Sequence, residues 1–122
     1  MASTKQIPQE QWKAYFDRFT RRHLEHGAPE EAMVDLVSPT LGDQPEFEGA
    51  RLLGFTWDPK SEAFEVLFED VDHLVFHPTE IWVVEDDDGF LSAIELVRPD
   101  GDKEILQLRR GSPLGETPAP AP

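Results

Sequence analysis

The chain has 122 residues, enough for one domain with one hydrophobic core, and no cysteine, which excludes disulfide scaffolds, thiolate zinc sites and cysteine nucleophiles. Eleven lysines and arginines face 25 aspartates and glutamates, and the net charge of −14 opposes a phosphate backbone, so nucleic acid is not an expected partner. No apolar run approaches the ~18–20 residues of a bilayer span, and MASTKQIPQEQWK lacks the apolar stretch of a secretory signal, so the expectation is a cytoplasmic protein that meets no membrane.

Residues 1–6 read as a flexible lead-in. The first predicted element is a helix over IPQEQWKAYFDRFTRRHLEHG. Pro8 suits a first helical position, Glu10 suits the positive end of the dipole, and Gly27 suits the stop. Trp12, Tyr15, Phe16, Phe19 and His23 recur at three- and four-residue spacing and form one aromatic stripe, with Lys13, Asp17, Arg18, Arg21 and Arg22 on the other side. Such a stripe belongs on the domain's own sheet, and a partner's groove is the alternative. Residues 1–27 carry a net +2 and the remainder −16.

From Ala32 onward the pattern is β. Ala32–Ser38 is short and alternating, and Ser38–Glu48 reads as a polar loop rich in Pro and Gly. Ala50–Asp58 and Glu62–Asp70 flank DPKS, where Pro59 fits the second position of a tight turn. Phe64, Val66 and Phe68 alternate with Glu65, Leu67 and Glu69, the period of a strand with one better-buried face. Asp88-Gly89 and Pro99-Asp100-Gly101 supply two further hairpin signals. Successive β runs joined by tight turns predict an antiparallel meander of five or six strands, and apolar residues on both faces of several strands favour a small barrel of the SH3 or Sm kind. The class is therefore α+β, one domain over residues 7–110. Residues 111–122, rich in Pro and Ala, are expected to be disordered.

DHLVFHPTEIWV, Asp72–Val83, holds two of the four histidines. On a helix His73 and His77 would share a face and could share a metal. Val75 and Phe76 favour a strand, and Pro78 interrupts it, so the run reads as a strand that resumes at Glu80. In a strand the two rings point to one side about 13 Å apart, too far for one zinc ion with nitrogen bonds near 2.0 Å. No metal and no cofactor are expected. Asp72, His73, His77 and Glu80 stand as candidate ligand- or partner-binding residues.

EDDDGFLSAIE imitates part of a calcium loop, with Gly89 at the sixth position and Asp86, Asp88 and Glu95 at ligand positions. Val84 then falls at the first ligand position, and the flanks are strands, so the stretch reads as a solvated turn. No phosphate-binding glycine loop, G-x-S-x-G elbow or H-E-x-x-H motif is present, and carboxylate pairs are too common here to mark a catalytic site. The expectation is a protein that is not an enzyme.

Taken together, IPQEQWKAYFDRFTRRH, LGDQPE, LLGFTWDPK, DHLVFHPTEIWV and IELVRPDGDKEILQLR resemble a family of small uncharacterised bacterial proteins, the domain of unknown function numbered 5335. The likeness covers residues 7–110. It implies a stand-alone bacterial domain with no assigned activity, and it lends no catalytic residue. The function expected first is a non-enzymatic protein-binding or adaptor module, a monomer or weak homo-oligomer that meets a protein partner through its charge. The alternatives are a small-molecule or metal-ion binding protein that uses the His73–His77 stretch, and an acidic mimic of nucleic acid.

Overall fold

Phe64, Val66 and Phe68 are buried while Glu65, Leu67 and Glu69 are partly or fully exposed, so the alternation in the sequence becomes an inner and an outer face. The structure, a computed structural model, describes residues 2–25, 32–37, 45–69 and 71–110. In chain order the strands are β1 (Ser3–Ile7), β2 (Ala32–Val37), β3 (Pro45–Asp58), β4 (Ala63–Phe68), β5 (Asp72–Phe76), β6 (Glu80–Glu85), β7 (Leu91–Val97) and β8 (Lys103–Arg110). Between β1 and β2 the chain forms a 3-10 turn (Gln9–Gln11), the helix α1 (Trp12–Phe19) and a π-helical turn (Thr20–Glu25).

All pairings are antiparallel, and the spatial order is β1-β6-β7-β8-β2-β3-β4-β5. The class is α+β. A four-stranded meander, β2 to β5, and a three-stranded meander, β6 to β8, are joined by the β2–β8 pairing, and β1 is added to the free side of β6. This corrects the expected single meander of five or six strands. The expected barrel is corrected too: among the described residues β1 and β5 do not pair, so the ladder stays open. It is nevertheless strongly rolled. In a flat sheet β5 and β8, four steps apart, would lie roughly 19 Å from each other at ~4.8 Å per step, yet a side chain of one meets a side chain of the other.

The N-terminus departs from the expected flexible lead-in. Ser3–Ile7 pairs with Glu85–Ile81 of β6, and Ile7 is buried. Its carbonyl accepts the indole N–H of Trp12 at 2.7 Å, which ties the strand to the helix. Pro8 precedes the 3-10 turn and does not open the α-helix. Pro45–Glu48, expected in a loop, opens β3. Gly27, residues 38–44 and the tail 111–122 lie outside the described residues.

The aromatic stripe packs as its spacing demands. Phe16 is fully buried, its ring centroid 5.7 Å from that of Phe55 on β3 and 4.9 Å from that of Phe64 on β4. Trp12 meets Trp57 edge-on at 4.8 Å, and Phe19 lies 5.7 Å from Phe90 beyond the β6–β7 turn. Helix and sheet come unusually close at Thr20. Its hydroxyl accepts from Phe55 N–H at 3.0 Å and lies 3.3 Å from Phe55 O, beside the bulge between Leu52 and Gly54. A Cβ on Gly54 would sit 2.9 Å from Thr20 Cγ2, so only glycine fits there without a shift. Among the described residues no helix is long and apolar enough to cross a membrane.

Candidate functional site

Strand β5 is short because Pro78 ends it, and among the described residues it pairs on one side only, with β4. Four consecutive residues of it, His73 to Phe76, line a cavity of about 420 Å³ together with Arg98, Pro99, Asp100 and Glu104. Consecutive strand residues point to opposite faces, so a cavity touching all four runs along the strand's edge and not over one face. The facing wall is the β7–β8 turn, closed by Gly101 N–H to Arg98 O at 2.9 Å and Arg98 N–H to Asp102 O at 2.8 Å. The result is a groove with a backbone edge on one side and a proline turn on the other.

A charged pair joins the two sides. Glu104 lies on the inner face of β8 in register with Leu106 and Leu108, and only 4% of it is exposed. Its Oε1 is 2.6 Å from His73 Nε2, and its Oε2 is 3.4 Å from Arg98 Nη1. An ionised carboxylate can only accept, so with Glu104 ionised the donor in this hydrogen bond is His73 Nε2–H, in the tautomer or the cation that carries a proton there. The inner side of β5 places His73 beside Val75, which is buried, and this explains why the imidazole points inward. A buried carboxylate is tolerated only when it is paired, and here each oxygen has a donor. Among the described residues no buried side-chain nitrogen or oxygen lacks a partner.

The outer face beside the groove is apolar with an acidic border. Leu74 and Phe76 are 45% and 53% exposed, and Leu53 and Val71 are also open to solvent. Glu65 and Asp72 share a hydrogen bond across β4 and β5. Burial first, and then that hydrogen bond and the negative charge of Asp72, hold the Glu65 carboxyl above its usual range. Arg51 on β3 pairs with Glu69 at 3.0 Å.

Of the four candidate residues, only His73 lines the groove. Asp72 is exposed at the start of β5. His77 is exposed beyond the strand's end, in the left-handed region at φ 56, with its Nδ1 3.8 Å from Glu62. Glu80 lies on β6, where it accepts the indole N–H of Trp82 at 2.9 Å. The expectation that His73 and His77 point to one side is therefore corrected: the left-handed turn at His77 breaks the strand's alternation. Among the described residues no three His, Asp or Glu side chains converge as a metal ion requires. Glu104 and Arg98 were missed from the sequence. The signal was there in KEILQL, where Glu104, Leu106 and Leu108 share one period-two face. The acidic turn behaves as a hairpin, with Gly89 at φ 89 and Phe90 N–H donating to Asp88 at 3.1 Å.

Residues 3–117 match the family of unknown function DUF5335, and the chain belongs to it. It is 41% identical over 116 residues to an uncharacterized protein of Aquifex aeolicus (strain VF5), an alignment that covers 93% of this chain and 99% of that relative. No solved structure matches.

Proposed function

We propose that this member of the DUF5335 family is a non-enzymatic peptide-binding module, which takes an extended basic segment of a partner protein as an added strand along β5. The observation that carries the reading is the groove along the edge of β5 that no described strand pairs with. An unpaired edge presents a row of backbone donors and acceptors, and strand addition uses those for affinity and alternate side chains for specificity. Here one alternation of the guest would meet Leu74 and Phe76 and the other would enter the groove above His73, Arg98 and Glu104.

Charge argues for the guest's chemistry. The chain carries −14, and Asp72 on β5 and Glu65 on the neighbouring strand add carboxylates beside the edge, so a segment bearing Lys or Arg is drawn in. The same charge opposes a second copy of this chain, which would bring its own −14 to the contact. Asp100, on the groove's far wall, adds a further carboxylate for a basic guest.

The test is a random peptide display library panned against the full chain. Selected peptides are expected to alternate apolar residues with Lys or Arg, and to shift amide resonances along β5 and the β7–β8 turn. Leu74→Lys with Phe76→Lys should abolish their binding. Peptides that bind this double variant equally well, or that shift resonances elsewhere, overturn the proposal. Concentration-dependent dimerisation lost in the same variant would assign the edge to a second copy instead.

A further inference from the structure

We infer that a second cavity, between β1, the helix and the β6–β7 turn, binds the phosphate group of a small phosphorylated molecule. This cavity is about 300 Å³, at the small end of ligand pockets, and Lys5, Tyr15, Arg18, Arg22, His23 and Glu85 lie on its wall. It shares no lining residue with the β5 groove, so the two proposals stand or fall separately.

Its charge runs against the rest of the molecule. Three cations, Lys5, Arg18 and Arg22, border the cavity with one carboxylate, Glu85. That carboxylate is already engaged: it accepts the Tyr15 hydroxyl at 2.6 Å and lies 3.2 Å from Lys5 Nζ. The Tyr15 hydrogen bond is the main reason its carboxyl is held below the usual range, with Lys5 and then Arg18 adding to it, so it stays ionised and offsets one of the three positive charges. Three cations against one carboxylate leave two positive charges over. Lys13 pairs with Asp17, Arg51 with Glu69 and Arg98 with Glu104, whereas among the described residues Arg18 and Arg22, like Arg21 and Lys60, have no carboxylate at ion-pair distance; Arg18 and Arg22 are the two of these that share a cavity. In a chain with 25 acids, a cavity wall with three cations and one carboxylate is the reverse of what composition alone would place there.

The fold holds two of these cations, Lys5 and Arg18, in place. The Arg18 guanidinium lies 5.8 Å from the Tyr15 ring centroid and Lys5 Nζ lies 5.5 Å from it. Arg18 and Arg22 are four residues apart and neighbours on one face, where like charges repel until an anion sits between them. The helix widens to a π turn at Thr20, and such turns are rare and concentrate at functional sites. His23 is kept at the cavity by stacking on Phe19 at 5.0 Å. Two unmatched positive charges balance a phosphate monoester, which carries about −1.5 to −2 near neutral pH, better than a single carboxylate. The guanidinium fork also suits phosphate oxygens.

The experiment is calorimetric titration of the full chain with inorganic phosphate and, separately, with glycerol phosphate, at ionic strength held constant with sodium chloride. Saturable binding is expected. Arg18→Gln with Arg22→Gln should weaken it at least about tenfold, while the Lys pair at the same positions, which keeps the charge and loses the fork, should fall between the unaltered chain and the Gln pair. Both arginines are exposed, so the amide spectrum of each variant should stay that of the folded protein. Tighter binding of glycerol phosphate than of inorganic phosphate identifies the organic ester as the ligand, and equal binding identifies free phosphate. No saturable heat with either probe, or unchanged affinity in the Gln pair, overturns the inference.

Discussion

His73 Nε2 and Glu104 Oε1 lie 2.6 Å apart, across a sheet in which four steps of the ladder separate their strands. The pair closes the roll of the sheet where strand pairing does not. Removing the imidazole would leave Glu104 buried, with Arg98 at 3.4 Å as its only charged partner among the described residues. His73→Ala is therefore expected to cost about 3 kcal/mol, the lower part of the range for breaking a buried pair. Urea unfolding of the variant measures it. A loss below about 1 kcal/mol would mean the pair does not hold β5 against β8.

His77 should behave oppositely. It is exposed and sits at φ 56, where a side chain costs roughly 1–2 kcal/mol that glycine does not. Against this, glycine adds freedom to the unfolded chain worth about 0.4–1 kcal/mol. His77→Gly should thus be neutral or stabilising by up to about 1 kcal/mol in the same unfolding assay. A clear destabilisation would show that the imidazole makes a contact worth more than its strain.

Gly54→Ala should destabilise the fold by about 1–3 kcal/mol, the usual cost of overpacking, because the new methyl group would meet Thr20 Cγ2 at 2.9 Å. Thr20 has little room to turn away, since its hydroxyl is held by Phe55. Thr20→Ser keeps the hydroxyl and removes Cγ2, so Gly54→Ala should be largely tolerated in that background. A double-mutant cycle over the four proteins reads the coupling, and additive effects would place the clash elsewhere.

The Tyr15–Glu85 hydrogen bond makes stability depend on pH at both extremes. Glu85 titrates lower in the folded state, mainly through the Tyr15 hydroxyl, so its contribution is present above the unfolded carboxyl value near ~4.3 and is lost as pH falls through the folded value. Tyr15 titrates higher when folded, through burial first and then Glu85, so its contribution is complete below about 10 and is lost as pH rises toward the folded value. In Tyr15→Phe both slopes should flatten, the acid one only in part because Lys5 still pairs with Glu85. Urea midpoints measured across pH test this, and unchanged slopes would count against the bond.

How much of this was legible in the sequence depends on how local the cause is. Trp12, Tyr15, Phe16 and Phe19 announce one helical face, and all four are buried. The turns at Pro59, Gly89 and Gly101 and the break at Pro78 are set by residues within a few positions, and each lies where the sequence puts it. Strand β1 is different. STKQI has a single apolar residue and becomes a strand only because β6 offers it an edge. The groove was half legible: His73 drew notice because it is a histidine, but Glu104 lies 31 residues away and hides in an alternating run. What brings them together is the order of strands, which depends on pairings no local pattern encodes.

That order has a consequence for the chain during synthesis. Ser3 pairs with Glu85, and Ala32 pairs with Arg110, so the first two strands each find a partner near the far end of the sequence. A ribosome releases β2 to β5 early, and they can form their meander, but one side of β2 has no neighbour until β8 has emerged. Non-local pairing of this kind puts folding toward the millisecond-to-second range, since loop closure precedes the contacts that reward it. At ~5–20 residues per second the nascent chain therefore spends seconds with an open edge, and β8, the last of the described strands to leave the exit tunnel, is the one that seals it.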